Sequence, residues 1–147
     1  MLLPFFPLES RSGAPHVGSG SRFVSSDGTA YWLTSVDGKY KARPDVAVVL
    51  FGEDPYAEFQ GDLPNLSYKP GNDADLALIK QLKAEGIPVV AVFLSGRPLW
   101  MNREINAADA FVAAWLPGSE GAGIADVLLR KADGGVQHDF KGKLSFS

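Results

Sequence analysis

The chain has 147 residues, no cysteine and two histidines, and its formal net charge is -3. This length suits one domain, the missing cysteines exclude disulfides and thiolate metal sites, and two histidines do not make a histidine-rich metal site. The small negative charge gives no basis for a nucleic-acid partner or binding to an anionic membrane, no apolar run approaches the about 20 residues that span a bilayer, and no motif calls for a cofactor.

The first 43 residues differ in composition from the rest. Met1–Pro7 is apolar, but two prolines interrupt it and no basic segment precedes it, so it is a poor signal peptide and the default expectation is a cytoplasmic protein. Ser10–Ser26 is rich in Ser and Gly and is interpreted as loop or partly disordered. Thr29–Thr34 has strand-type residues, and the turn signal Asp37-Gly38 that follows predicts a hairpin with Tyr40 on its return arm.

From residue 44 to residue 147 apolar runs alternate with helical patterns, which predicts an α/β fold with a mostly parallel layered sheet and flanking helices. Asn72 is the expected N-cap of the first helix, Gly86 is its expected end, and Ser119 is expected to cap the last helix. The predicted elements, in order, are a strand at Val46–Phe51 buried on both faces, a helix at about Asp73–Glu85, a strand at Pro88–Leu94, a short helix at Pro98–Ile105, a strand at Ala110–Leu116, a helix carrying Ile124, Val127 and Leu128 that ends near Gly134-Gly135, and a short strand at Leu144–Phe146.

Four carboxylates follow the first of these strands, within Gly52–Asp62. Ligands of open α/β sheets gather beyond the carboxyl ends of the strands. Carboxylates crowded there repel one another and lose solvent, which raises the pKa of at least one of them and favours general-acid chemistry. The alternative is an ordinary solvated acidic loop.

Three segments, Gly52–Asp62, Leu94–Pro98 and Ala113–Gly121, resemble landmarks of one family in its order and spacing. They are similar to the C-terminal α/β sandwich domain of glycoside hydrolase family 3, on its exo-β-glucanase and β-glucosidase branch. The similarity covers roughly Ser35–Ser147. It implies that residues 44–147 are part of that sandwich domain and that residues 1–43 are a divergent, loop-rich segment.

The resemblance implies a catalytic role for Glu58. It fills the family's acid/base position, with Tyr56 before it and Gly61-Asp62 after it. The family's nucleophile is an aspartate in a preceding (β/α)₈ barrel, and retaining glycosidases need both carboxyl groups about 5 Å apart. We therefore expect a β-glucan or β-glucoside substrate, a barrel-domain partner, and no turnover by this chain alone.

The other polar residues of this region are expected to support the loop. Glu53 and Asp54 are expected to accept backbone hydrogen bonds, and Asp62 to fix the turn after Gly61. Arg97 ends the second strand at the same sheet edge, and its planar fork suits an ion pair with a loop carboxylate. Direct substrate contact by Arg97 is the alternative.

Two tryptophans receive different interpretations. Trp100 follows Pro98 in a loop and is a candidate sugar-stacking, substrate-binding residue, whereas Trp115 ends an apolar strand and is expected in the core. Pro117–Gly121 lacks the lysine and glycine spacing of a P-loop, and Ser95 is not in a G-x-S-x-G elbow.

Two functional classes remain open. One is an enzymatic domain that contributes the acid/base residue, and the other is a non-catalytic carbohydrate-binding or protein-interaction module. The family domain has about six strands, and this chain carries only the later ones. The open apolar surface favours a homodimer built partly from Met1–Tyr40; the alternative is that Met1–Tyr40 covers this surface within one chain. The opening methionine, in a segment unlike the family, favours a natural open reading frame.

Overall fold

The computed structural model describes residues 44–143 and, upstream of them, the backbone of two three-residue strands. Two compact units are distinguished, one of residues 34–116 and one that combines residues 1–33 with 117–147. The elements in chain order are β1 (Arg22–Val24), β2 (Ala30–Trp32), β3 (Ala47–Gly52), α1 (Ala74–Ala84), β4 (Val89–Leu94), α2 (Asn102–Ala107), β5 (Ala110–Trp115) and α3 (Ala122–Leu128).

The larger unit is built on a parallel sheet of the order β3-β4-β5. The register pairs Ala47 with Val89 and Gly52 with Leu94, and β5 continues it from the pair of Val90 and Ala110. Helix α1 connects β3 to β4, and α2 connects β4 to β5. The predicted α/β class and the predicted parallel arrangement of the three strands are therefore confirmed.

The core lies on one side of this sheet, against α1. Leu76, Ile79 and Leu82 form the buried stripe of α1, as the helical spacing predicted. On β3 only alternate residues, Val49 and Phe51, are buried. The expectation that β3 is buried on both faces is thus wrong for the described part of the chain, where the second face of this edge strand is only partly covered.

Three aromatic rings close the carboxyl end of this core. Tyr68 packs edge-on against Phe51 and Phe93, with ring centroids 5.8 and 5.1 Å apart. Phe51 and Phe93 lie side by side on neighbouring strands, with centroids 5.4 Å apart. Edge-to-face contacts of this kind stabilise a core beyond the area they bury.

The ends of α1 differ slightly from expectation. Asp73, not Asn72, is the N-cap residue and makes no capping hydrogen bond with its side chain. Asn72 Oδ1 instead accepts from the N–H of Ala74 at 3.0 Å, so it still satisfies one free donor of the first turn. Gly86 has a φ of 73° and follows the end of the helix, as predicted.

Helix α2 begins later than predicted. Residues 98–101 are not helical, because Trp100 forms a parallel bridge with Ser67. The Trp100 N–H donates to the Leu66 carbonyl at 2.7 Å, and the Trp100 carbonyl accepts from the Tyr68 N–H at 3.0 Å. These two bonds hold the chain extended until the helix starts at Asn102.

Helix α3 is shorter than predicted at both ends. Its N-cap is Gly121, whereas the Ser119 hydroxyl donates to the Glu120 carboxylate, so the expected cap at Ser119 is wrong. The helix ends at Leu128, before Gly134, because residues 130 and 136 pair in an antiparallel bridge.

The upstream strands correct one expectation and confirm another. β2 lies within the predicted strand Thr29–Thr34, but its described partner is β1, which falls inside the Ser10–Ser26 segment expected to be loop. Asp37-Gly38, Tyr40 and the predicted strand Leu144–Phe146 lie outside the described residues.

Gly52 is the last residue of β3 and packs tightly against Leu94 of β4. A Cβ atom at this position would lie 2.2 Å from the carbonyl oxygen of Leu94, which is backbone and cannot move aside. We expect Gly52→Ala to lower the free energy of unfolding by about 1–3 kcal/mol, as overpacking does, measured by urea denaturation. Gly123→Ala is the control, because a Cβ there meets nothing within 4 Å and alanine favours a helix by about 0.5–1 kcal/mol. Equal stability of Gly52→Ala and wild type would contradict this account.

Asp109 joins the starts of two strands to the end of α1. Its carboxylate accepts from the Val89 N–H at 2.7 Å and from the Lys83 ammonium group, and its own N–H donates to the Val89 carbonyl at 2.9 Å. Partial burial raises the pKa of the Asp109 carboxyl, but the bonds from Lys83 and Val89 lower it more, so the net shift is downward.

This shift predicts a pH dependence of stability. Because the folded-state pKa of Asp109 lies below the ordinary value near 3.9, its contribution is complete above that pH and is lost as the pH falls through the folded-state pKa. Asp109→Asn keeps an acceptor for the Val89 N–H but removes the charge. We expect wild type to be more stable than Asp109→Asn at neutral pH, and the difference to shrink below about pH 4. Urea denaturation across pH would measure it, and a difference independent of pH would contradict the role of the charge.

Candidate active site

The candidate site lies where β3 and β4 end side by side. Backbone pairing continues one residue past each strand: the Glu53 N–H donates to the Leu94 carbonyl at 3.1 Å, and the Ser95 N–H donates to the Trp115 carbonyl at 3.2 Å. The loops that follow the two strands therefore start from fixed, neighbouring points at the carboxyl edge of the sheet, which is where ligands of parallel sheets bind.

Glu53 is held by an arginine and a serine from the β4 loop. Arg97 Nε and Nη2 lie 3.0 and 2.7 Å from Glu53 Oε1, and Ser95 Oγ lies 2.5 Å from Glu53 Oε2. The Ser95 hydroxyl is buried and also accepts from the Arg97 N–H at 3.1 Å. Both carboxylate oxygens of Glu53 thus have hydrogen-bond partners. Such partners offset the loss of solvent that a carboxylate suffers directly after a core strand.

Arg97 also contacts the far end of the acidic loop. Its Nη1 donates to the Gly61 carbonyl, and its guanidinium carbon lies 4.5 Å from the centroid of the Tyr56 ring. The pKa of Arg97 is raised, chiefly by its hydrogen bonds to Glu53 and further by the charge of Asp62. Partial burial acts in the opposite direction but is the smaller effect. Arg97 is therefore a permanent cation that lies against the acidic loop.

The loop between Tyr56 and Gly61 is a closed turn. The Gly61 N–H donates to the Ala57 carbonyl at 3.2 Å, the Gln60 N–H to the Glu58 carbonyl at 2.8 Å, and the Asp62 N–H to the Phe59 carbonyl at 3.2 Å. Phe59 has a φ of 67°, which is rare for a residue with a side chain, and its ring is 84% exposed. Glu58, the second residue of the turn at residues 57–60, is exposed.

The structure thus places the predicted site residues in two groups. Glu53 and Arg97 are in direct contact, whereas Asp54, Glu58 and Asp62 are exposed along the loop. The backbone N–H of Asp62 donates to the Phe59 carbonyl and so closes the turn over residues 59–62. The supporting roles expected for these carboxylates and for Arg97 remain predictions.

Tyr68 is a further residue of this edge that the sequence reasoning missed. Its hydroxyl lies 2.7 Å from Asp75 Oδ2, to which it donates, and 3.0 Å from the Gly52 carbonyl. Burial first, then the bond to Asp75 and the charge of Asp54, raise the pKa of Tyr68 well above its usual value. This contact ties the start of α1 to the base of the acidic loop. A buried tyrosine needs a partner for its hydroxyl, but the sequence does not say which.

The two tryptophans correct one expectation. Trp100 is 77% exposed and is therefore accessible to a sugar, but its role in substrate binding remains a prediction. Trp115 is 40% exposed and has a φ of 55°, so its placement in the core is wrong. A register shift between Phe93 and Leu94 leaves Ala114 as an extra residue of β5, so Trp115 pairs with Leu94 one residue out of step with the regular strand alternation.

Two kinds of feature are absent from the part of the chain that the structure describes. No group of three His, Cys, Asp or Glu side chains there is arranged to hold a metal ion. Between residues 44 and 143 and in β1 and β2, no helix has the length and apolarity of a membrane span.

Known proteins resemble this chain over much of its length. The profile of the glycosyl hydrolase family 3 C-terminal domain matches residues 26–147. The lysosomal beta glucosidase of Dictyostelium discoideum is 39% identical over 87 residues, which cover 58% of this chain and 10% of that protein. The periplasmic beta-glucosidase of Salmonella typhimurium is 39% identical over 88 residues, covering 59% and 11%.

A solved structure agrees with these matches. The exo-1,3/1,4-beta-glucanase from a Pseudoalteromonas species is 63% identical, with a TM-score of 0.74, over 77% of this chain and 14% of that chain. The chain spans about a tenth of the length of the curated relatives that it matches.

The buried Ser95 hydroxyl gives a direct test of how Glu53 is held. Ser95→Ala removes a hydrogen bond to a charged group in a protected place, and we expect a loss of about 1–3 kcal/mol in the free energy of unfolding. Ser119→Ala removes an exposed serine bond and should change stability by less than about 0.5 kcal/mol. Chemical denaturation of both variants measures the difference, and equal effects would show that Ser95 does not support Glu53.

Proposed function

The chain belongs to glycoside hydrolase family 3, as its C-terminal domain, and we propose that it supplies the acid/base glutamate, Glu58, for the hydrolysis of β-glucosides. The observation that carries the proposal is the turn at residues 57–60. This turn lies beyond the carboxyl end of β3, and its Glu58 is exposed. Glu58 fills the position at which the family has its acid/base glutamate.

The surroundings of the loop carboxylates support Glu58 over its neighbour. Glu53 is engaged on both oxygens by Arg97 and Ser95, so its proton transfer would break an ion pair. Glu58 is exposed and can meet a sugar bound above the sheet edge.

The reaction needs a second carboxylate. In the first step Glu58 gives its proton to the glycosidic oxygen while the nucleophile attacks the anomeric carbon and the bond to the leaving group breaks. In the second step Glu58 takes a proton from water, which displaces the nucleophile. A (β/α)₈ barrel takes about 250 residues, more than the 147 residues of this chain. We propose that the nucleophile comes from such a barrel, in a longer chain or in a separate subunit.

The substrate class follows from the relatives. Two of them are named beta-glucosidases and one an exo-1,3/1,4-beta-glucanase, so we propose a β-linked glucoside or glucan. The homodimer expected from the sequence remains a prediction.

A carbohydrate-binding module without catalysis is the second candidate. The exposed rings of Phe59 and Trp100 favour it, because aromatic faces stack on sugars. A module of this kind would bind laminaribiose or cellobiose but would show no turnover with any barrel domain.

The test is reconstitution. We expect no hydrolysis of cellobiose or of a nitrophenyl β-glucoside by the 147-residue chain alone, and turnover when the barrel domain of a family 3 relative is added. Glu58→Gln should lower the reconstituted rate by about 10²–10⁴-fold, the usual contribution of general acid–base catalysis. The loss should be larger for cellobiose, whose leaving group needs the proton more.

Glu120→Gln is the matched control, since Glu120 is an exposed carboxylate outside the acidic loop and its replacement should leave the rate unchanged. Turnover by the chain alone that Glu58→Gln abolishes would contradict the need for a barrel. Reconstituted turnover that survives Glu58→Gln would contradict the role of Glu58.

A further inference from the structure

We propose that Tyr56, Gly61 and Arg97 form a clasp that fixes the direction of the turn at residues 57–60 and so positions Glu58. The importance of the clasp for hydrolysis rests on the function proposed above, whereas its effect on the turn does not. Tyr56 and Arg97 are positioning residues, because they act through the turn.

The first half of the clasp is the contact between the two ends of the turn. A Cβ atom at Gly61 would lie 2.3 Å from Cδ2 and 2.7 Å from Cε2 of Tyr56. The Gly61 backbone therefore rests directly on the ring, and any side chain at this position would push the ring away. Gly61 is buried, although its neighbours on both sides are exposed.

The second half of the clasp is Arg97. Its guanidinium group lies 4.5 Å from the Tyr56 ring centroid, in cation–π range, and donates to the Gly61 carbonyl. One side chain thus holds both ends of the turn. Arg97 is in turn fixed by Glu53, which follows β3 without a break, so the clasp connects the turn to the sheet.

The turn has little else to orient it. Residues 57–60 are all exposed, so no side chain of the turn is anchored in the core. The three backbone hydrogen bonds give the turn its shape, but they join residues within 57–62 and cannot set its direction. The contacts among Tyr56, Gly61 and Arg97 therefore hold the turn in a fixed orientation relative to β3 and β4.

Direction matters for an acid/base residue. A displacement of about 1 Å at a reacting group can cost about a hundredfold in rate. Glu58 lies between Tyr56 and Gly61, so rotation of the turn about its two ends would move the carboxyl group relative to a bound sugar.

The test uses amide hydrogen exchange, followed by NMR, in the 147-residue chain. The reporters are the amides of Gly61 and Asp62, which are bonded within the turn, and the reference amide is that of Val92 in the central strand. We expect Tyr56→Ala to speed exchange at both reporters by about tenfold and to leave Val92 unchanged. Tyr56→Phe keeps the ring on Gly61 and beneath Arg97, so it should exchange like wild type.

A double-mutant cycle tests the contact itself. Gly61→Ala should speed exchange at the Asp62 amide in the wild-type background, because the new methyl group displaces the ring. In the Tyr56→Ala background the same change should add little, since no ring remains to clash. Additive effects, or faster exchange at Val92 to the same extent as at the turn, would overturn the clasp.

The consequence for catalysis has a separate readout. If reconstitution with a barrel domain gives turnover, Tyr56→Ala should lower kcat with KM unchanged, and Tyr56→Phe should restore kcat. An unchanged kcat in Tyr56→Ala would overturn the positioning role even if exchange is faster. If reconstitution gives no turnover, the proposed function fails while the exchange data still decide the clasp.

Discussion

Arg97 donates to Glu53 through two of its nitrogens, to the Gly61 carbonyl through the third, and lies against the Tyr56 ring. The rest of the sheet edge depends on this guanidinium. A carboxylate that directly follows a core strand loses solvent and needs a cation nearby, and the acidic loop needs a fixed point away from its own base. A lysine would offer a point charge for one of these tasks, whereas the planar fork of arginine serves both at once. The Ser95 hydroxyl completes the arrangement by occupying the second oxygen of Glu53.

The contacts of this edge divide the acidic loop into two parts with different tasks. Glu53 lies at the base and belongs to the scaffold, since its charge is matched by Arg97. Glu58 lies in the turn at residues 57–60, in solvent. Phe59, next to it, holds a left-handed backbone conformation that costs of order 1–3 kcal/mol. Such strain persists only where the surroundings determine the backbone, which agrees with a turn whose ends are fixed.

Much of the fold could be predicted from the sequence because its signals are local. Apolar runs that alternate with helical patterns were sufficient to predict β3, β4 and β5 and their parallel arrangement. Parallel neighbouring strands end at the same edge of the sheet, so Arg97, which follows β4, lies near the start of the acidic loop. The expectation that Trp115 lies in the core was wrong because a one-residue register shift breaks the strand alternation just before it, and no local sequence pattern reports register. The start of α2 was missed for a related reason, since the bridge to Ser67 is a distant contact. The chemistry of the residues alone predicts an acidic loop and does not distinguish Glu58 from the other carboxylates. The catalytic role of Glu58 is predicted only from the family resemblance.

The parallel connection also determines when the site can form. Ser95 is 42 residues from Glu53 along the chain, and Arg97 is 44 residues from it, because a helical crossover lies between the strands. Contacts so distant in sequence form late, after the entropy of closing the intervening loop has been lost. In the nascent chain Glu53 is therefore synthesised well before either of its partners exists, and we expect it to stay hydrated until β4 has docked beside β3. We therefore expect the ion pair to form as a result of sheet assembly and not to guide its first steps.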